Sequence, residues 1–276
     1  MSSNPLQKHF RQSKISISLP SNGNFYPNDF LETTITNEIE IKAMRAADEI
    51  SLKNPDALLN GSAMENLIRS CAPGVKNPRE LLLPDYYSIL LGIRFASLGD
   101  RFNFKAKCPK CNHENNYHDS IRRLLGTCVQ TDPDVVVQIE DVKIKLRPHT
   151  FETNLKSELI RFEQQKLIQF SMQDSLTEKE KLSYIGTAFD SLKGLTSDLV
   201  TDAVEYIELQ DQKVSNREHI REYIEELPSE PAELLRDKIQ ELNTSGVPKS
   251  HECVCSECSN TWTEEGVEFD SARFFD

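Results

Sequence analysis

Ile15, Ile17 and Leu19 alternate with serines, which is the period of a half-buried strand, and Pro20-Ser-Asn-Gly23 supplies turn chemistry behind them. A second alternating run, from Ile35 through Glu38 to Ile41 and on toward Met44, predicts a strand that pairs with the first. Between them, Phe25 and Tyr26 either pin the turn to the core or present two aromatics to a partner. From Arg45 the period becomes helical. Short helices are expected over Ala46–Leu52 and from Pro55 to Leu59, interrupted at Asn54-Pro55 and Asn60-Gly61. Ser62 to Cys71 carries Met64, Leu67, Ile68 and Cys71 at helical spacing, which assigns Cys71 to the core. The most apolar helix spans Pro84 to Leu98, with Tyr86, Ile89, Leu90, Ile93 and Leu98 as its core face and Gly99 to stop it. Arg94 interrupts that face, as a boundary residue or as a buried charge paired with Asp85 or Asp48.

The second half is more polar. Ser120 to Leu125 reads as a helical turn ending at Gly126, and Val135 to Leu146 as a hairpin turning at Glu140-Asp141. Residues 151–245 predict about five short amphipathic helices with narrow apolar stripes, less stable than the N-terminal core unless a partner covers them. Thr177-x-x-Glu180 and Ser215-x-x-Glu218 are capping-box starts, and Leu227 to Pro231 separates the last two helices. Residues 1–14 are polar and expected to be mobile until a partner orders them. The tail from Val267 to Asp276 ends in adjacent aromatics suited to docking.

Chemistry enters with the cysteines. Cys108-Pro-Lys-Cys111 and Cys255-Ser-Glu-Cys258 offer four thiolates, the full complement of a closed tetrahedral zinc site, and each pair sits between strand-like flanks. A metal joining two such hairpins makes a zinc ribbon and turns residues 112–254 into an insertion whose ends must meet. The separation is long for a ribbon, so two redox dithiols or reduced core cysteines remain alternatives, and His251 or Cys253 competes as a ligand. His113, His118 and His149 read as surface or hydrogen-bonding residues.

With 276 residues the chain can form one large domain or two smaller ones. A formal charge of −12 argues against general nucleic-acid binding, which needs clustered Lys and Arg. Seven cysteines, four in metal-like pairs, fit a reducing compartment, and no signal peptide or membrane-spanning run is evident. Phosphate-loop, nucleophile-elbow and His-Glu-x-x-His motifs are missing.

The ordered segments Leu19-Pro-Ser-Asn-Gly-Asn-Phe-Tyr26, Met44-Arg-Ala-Ala-Asp-Glu49, Leu58-Leu-Asn-Gly-Ser62, Ile68-Arg-Ser-Cys71, Asp85-Tyr-Tyr87, Ile93-Arg94 and Cys108-Pro-Lys-Cys111 are similar to the baseplate hub and baseplate-assembly family of T-even-like contractile-tailed bacteriophages. The resemblance covers about the first 125 residues. It implies a non-enzymatic hub or assembly protein whose partners are other hub and tail proteins, located in the host cytoplasm during assembly and in the tail baseplate of the virion. Residues alone predict an α+β protein: N-terminal strands with a helical core over 1–126, a β-hairpin and mainly helical insertion over 127–248, and a second zinc knuckle with a tail over 249–276. A zinc-ribbon adaptor in phage or host transcription, and a redox or hydrolytic enzyme, are the competing classes.

Overall fold

The computed structural model describes residues 10–172, 177–210, 212–248, 250–265 and 275. The fold is α+β, and the chain divides into two compact units, one built from 1–78, 84–131 and 244–276, the other from 79–83 and 132–243.

In the first unit, β1 (Ser13–Ser18) pairs antiparallel with β2 (Glu38–Lys42), placing Ile17 opposite Ile39 and Ile15 opposite Ile41. The alternation puts Ile17, Ile39 and Ile41 inside and the serines of β1 outside. Helices α1 (Ala46–Leu52), α2 (Pro55–Leu59) and α3 (Ser62–Cys71) follow where the periodicity places them, and the Asn54 side chain caps α2 by accepting from Asp56 and Ala57. Cys71 is fully buried. The long helix α4 (Leu83–Leu98) is apolar on every side and forms the centre of this unit, with Ile89, Leu90, Leu91 and Ile93 all at 0–1 % exposure. Leu98 does not join that core; it is exposed, because Gly99 (φ +91°) ends the helix at the surface there. Arg94 is buried with its guanidinium 5.5 Å from the Phe102 ring centre. The two carboxylates expected to hold it have other bonds: Asp48 binds Arg45 and Ser70, and Asp85 binds Ser21 and Tyr26.

Strands β3 (Arg101–Lys107) and β4 (Glu114–Ser120) form a hairpin, and α5 (Ile121–Gly126) follows, capped by Ser120. The second unit opens with the hairpin β5 (Val136–Ile139) and β6 (Val142–Leu146), turning at Glu140, whose φ is +53°. The expectation of about five short helices beyond it is corrected. Two long helices, α6 (Phe151–Ser171) and α7 (Glu178–Ala203), lead directly into a second hairpin, β7 (Val204–Leu209) and β8 (Gln212–Val214), followed by α8 (Arg217–Glu225) and α9 (Ser229–Thr244). Strand β7 pairs with β6, giving a four-stranded sheet in the order β5-β6-β7-β8. This sheet and helices α8 and α9 share one apolar core containing Ile144, Leu146, Val204, Ile220, Leu235 and Ile239. The Thr177–Glu180 capping box is present, whereas α8 is capped by Asn216 rather than Ser215.

The chain re-enters the first unit at Thr244, and Gly246 bridges Val129 through two backbone hydrogen bonds of 2.9 Å. Glycine is required here twice over. Its φ is +90°, and a Cβ would lie 3.1 Å from both Pro20 and Pro84 side-chain carbons. The last hairpin, β9 (Ser250–Val254) and β10 (Thr261–Glu265), completes the unit. The polar N-terminus up to residue 9 and most of the aromatic tail lie outside the described residues.

Candidate metal centre

The two Cys-x-x-Cys turns have the same local structure. In the first, the Cys108 N–H donates to His113 O (3.0 Å), the Asn112 N–H donates to Cys108 O (2.9 Å), and Asn112 sits at φ +57°. In the second, Cys255 N–H donates to Asn260 O (2.9 Å), Ser259 N–H donates to Cys255 O (3.0 Å), and Ser259 sits at φ +53°. Each turn needs a left-handed residue one position after its second cysteine so that the chain can return as a strand. Asparagine adopts that conformation readily and serine less so.

These turns bring Cys108, Cys111, Cys255 and Cys258 together with all four sulfurs within 4.8 Å of one another. Cys108 Sγ lies 3.6 Å from Cys258 Sγ, and Cys111 Sγ lies 3.6 Å from Cys255 Sγ. A tetrahedral ion with metal–sulfur bonds of about 2.3 Å spaces its thiolates about 3.8 Å apart, so the donor set fits such an ion in number, element and spacing. The other candidates stand apart. His251 Nδ1 lies 3.0 Å from Asp119 Oδ2 and its ring packs on Phe104 at 4.8 Å. Cys253 is buried on β9, where burial pushes its thiol up. His149 belongs to the second unit, hydrogen-bonded to Leu199 O and Asn243.

The closeness of the thiols also shows in the ionisation of three of them. At Cys255, the Cys258 backbone N–H favours the thiolate; burial opposes it, but the Glu257 N–H, Cys111 and Asn115 add to the pull, and the pKa falls to about 6. Burial is the largest influence on Cys108 and resists ionisation, yet the N–H groups of Cys111 and Lys110 with the Cys258 and Cys111 thiols outweigh it and draw the group below its ordinary value. At Cys111 the His113 N–H favours the thiolate, but the Cys258 thiol, burial and the Cys255 and Cys108 thiols prevail and push it up to about 12. A cation bound among the sulfurs would favour the thiolate form at all four.

A third residue type holds the turns together, and sequence reasoning passed over it. Asn115 on β4 is buried; its Oδ1 accepts from Ser256 N–H (2.9 Å) and Ser256 Oγ (2.8 Å), and its Nδ2 lies 3.7 Å from Cys255 Sγ. Tyr117, two residues on, donates its hydroxyl to Val254 O (2.9 Å) and meets the Trp262 ring edge-on at 6.2 Å. The period of β4 is the signal for both, since Asn115 and Tyr117 share one face of the strand.

Residues 13–276 match the family model described as T4 bacteriophage base plate protein. The chain belongs to this family. The match takes in both cysteine pairs and both units of this base plate protein, so the resemblance seen in the first 125 residues extends over nearly its whole length. No curated protein and no solved structure gives a significant match. Among the described residues, no helix of the base plate protein is long and apolar enough to cross a membrane.

Proposed function

We propose that this base plate protein is a non-enzymatic structural or assembly component of the baseplate hub, and that Cys108, Cys111, Cys255 and Cys258 hold one structural zinc ion. The observation that carries the zinc reading is the convergence of four thiols from two turns of matching backbone geometry, 144 and 150 residues apart along the chain. An ion bound by four protein thiolates has no coordination position left for a substrate, which supports a structural role. Family membership supports partnership with other tail proteins in the baseplate, and the sequence resemblance of the first 125 residues supports the hub and assembly in the host cytoplasm.

Elemental analysis of protein purified without chelator is expected to find one zinc per chain, and Cys108→Ser to lose it together with several kcal/mol of stability. Metal-free wild-type protein overturns the zinc assignment. Affinity purification from infected cells with mass spectrometry is expected to recover hub components. Recovery of transcription machinery in their place overturns the hub reading in favour of a ribbon adaptor.

A further inference from the structure

Helix α7 carries an apolar stripe that its own fold leaves partly uncovered. Helices α6 and α7 run back along each other: Phe170 near the end of α6 meets Tyr184 near the start of α7, and His149, just before α6, bonds Leu199 near the end of α7. One line of α7, Ala188 and Leu195, is buried. A second line, Leu182, Ile185, Phe189, Leu192, Thr196 and Leu199, repeats at alternating steps of three and four, the seam spacing of a coiled coil. Leu182 is 69 % exposed and Phe189 63 %, with Ile185 and Leu192 partly exposed. The core of the second unit takes Val200 and Ala203 from α7 and nothing before them. A Cβ at Gly186, beside the stripe, would have open space within 4 Å.

We propose that this stripe is the seam for an amphipathic helix with acidic flanks, supplied by another tail protein. With Leu182 at the first seam position, the flanking positions Ala188, Leu195 and Val200 are buried and the accessible ones hold Lys181, Gly186 and Lys193, so every charge beside the open seam is positive. Neither lysine forms an ion pair among the described residues. A second copy of this chain would set lysines against lysines, whereas Asp or Glu at the flanks of a foreign helix completes both. Glycine at the open flanking position 186 lets that helix approach closely. The inference rests on family membership and not on the zinc site.

The test places a benzophenone photo-cross-linker at position 189 in protein made during infection, followed by sequencing of the linked peptide. The expected result is a segment of another tail protein with apolar residues at heptad spacing and acidic flanks. Cross-link yield should fall at least fivefold in Lys181→Glu/Lys193→Glu and survive in Lys181→Arg/Lys193→Arg, with the circular dichroism of both purified variants matching wild type. Cross-links within the chain or to a second copy, a linked segment without acidic flanks, no cross-link, or equal yield in the Glu and Arg variants overturns the proposal.

Discussion

Asp85 shows how a single buried residue can choose between two readings of a neighbouring motif. Its carboxylate, fully buried on α4, accepts from Ser21 N–H (2.9 Å), Ser21 Oγ (2.5 Å) and Tyr26 Oη (2.7 Å). Tyr26 also stacks on Phe30 at 4.5 Å, so it pins the turn after β1 to the core instead of offering itself to a partner. Burial dominates at Asp85 and raises its pKa above the ordinary carboxylate value, although the three hydrogen bonds work against it. A raised carboxyl contributes stability that is fully present below the unfolded value, near 4, and is lost as pH rises through the folded value. Asp85→Asn is therefore expected to remove a downward slope of stability with pH that begins near pH 4, as read by urea melts across pH 4–7. An unchanged slope would show that the carboxyl titrates as it does in the unfolded chain. Asp48 and Asp119 have the opposite sign. Burial opposes their ionisation, but Arg45 and Arg123 respectively hold them below the ordinary value, so their contribution is lost only as pH falls below about 4. The turn itself was legible from Pro20-Ser-Asn-Gly23. Which of its two roles Tyr26 plays was not, because its partner lies 59 residues away.

Among the elements, the two cysteine hairpins were legible because a Cys-x-x-Cys turn is a local signal with strands on either side. In the sheet of the second unit, the β5–β6 hairpin was legible from its alternation and its turn at Glu140, but β7 and β8 were not. Ala203 ends α7 and Val204 begins β7 with no glycine, proline or loop between them, so an alternating run reads as the continuation of a helix. What makes Val204–Leu209 a strand is its pairing with Val142–Leu146, a contact no local window contains. The same separation hid Asn115, whose bonds to Ser256 cross 141 residues. Asn115→Ala should leave the four thiols in place but free the second turn, weakening metal affinity by about tenfold while retaining one ion per chain at saturation. Chelator-competition titrations measure this. Wild-type affinity in the variant would show that the Asn115 bonds follow from the site's geometry instead of enforcing it.

At the scale of the whole molecule, the thiol cluster and the core of the second unit belong to different compact units, although the chain crosses between them repeatedly. The cysteine turns close a loop of more than 140 residues, so the ion proposed there would restrict the chain strongly. Its removal acts first on the unit that holds the turns, whose β3–β4 and β9–β10 sheets have two strands each and little stability by themselves. The second unit keeps its own apolar core of Ile144, Val204, Ile220, Leu235 and Ile239, which contains no cysteine. Stripping the protein with a chelator at neutral pH is thus expected to speed amide exchange in β3, β4, β9 and β10 while β6, β7 and α9 stay protected. The only tryptophan, Trp262 on β10, gives a second reading: its fluorescence transition should fall by about 10 °C or more, the shift that several kcal/mol produces in a domain of this size. If exchange instead rises equally in both units, the ion supports the molecule as one cooperative body, and the division into a metal-dependent and a metal-independent unit is wrong.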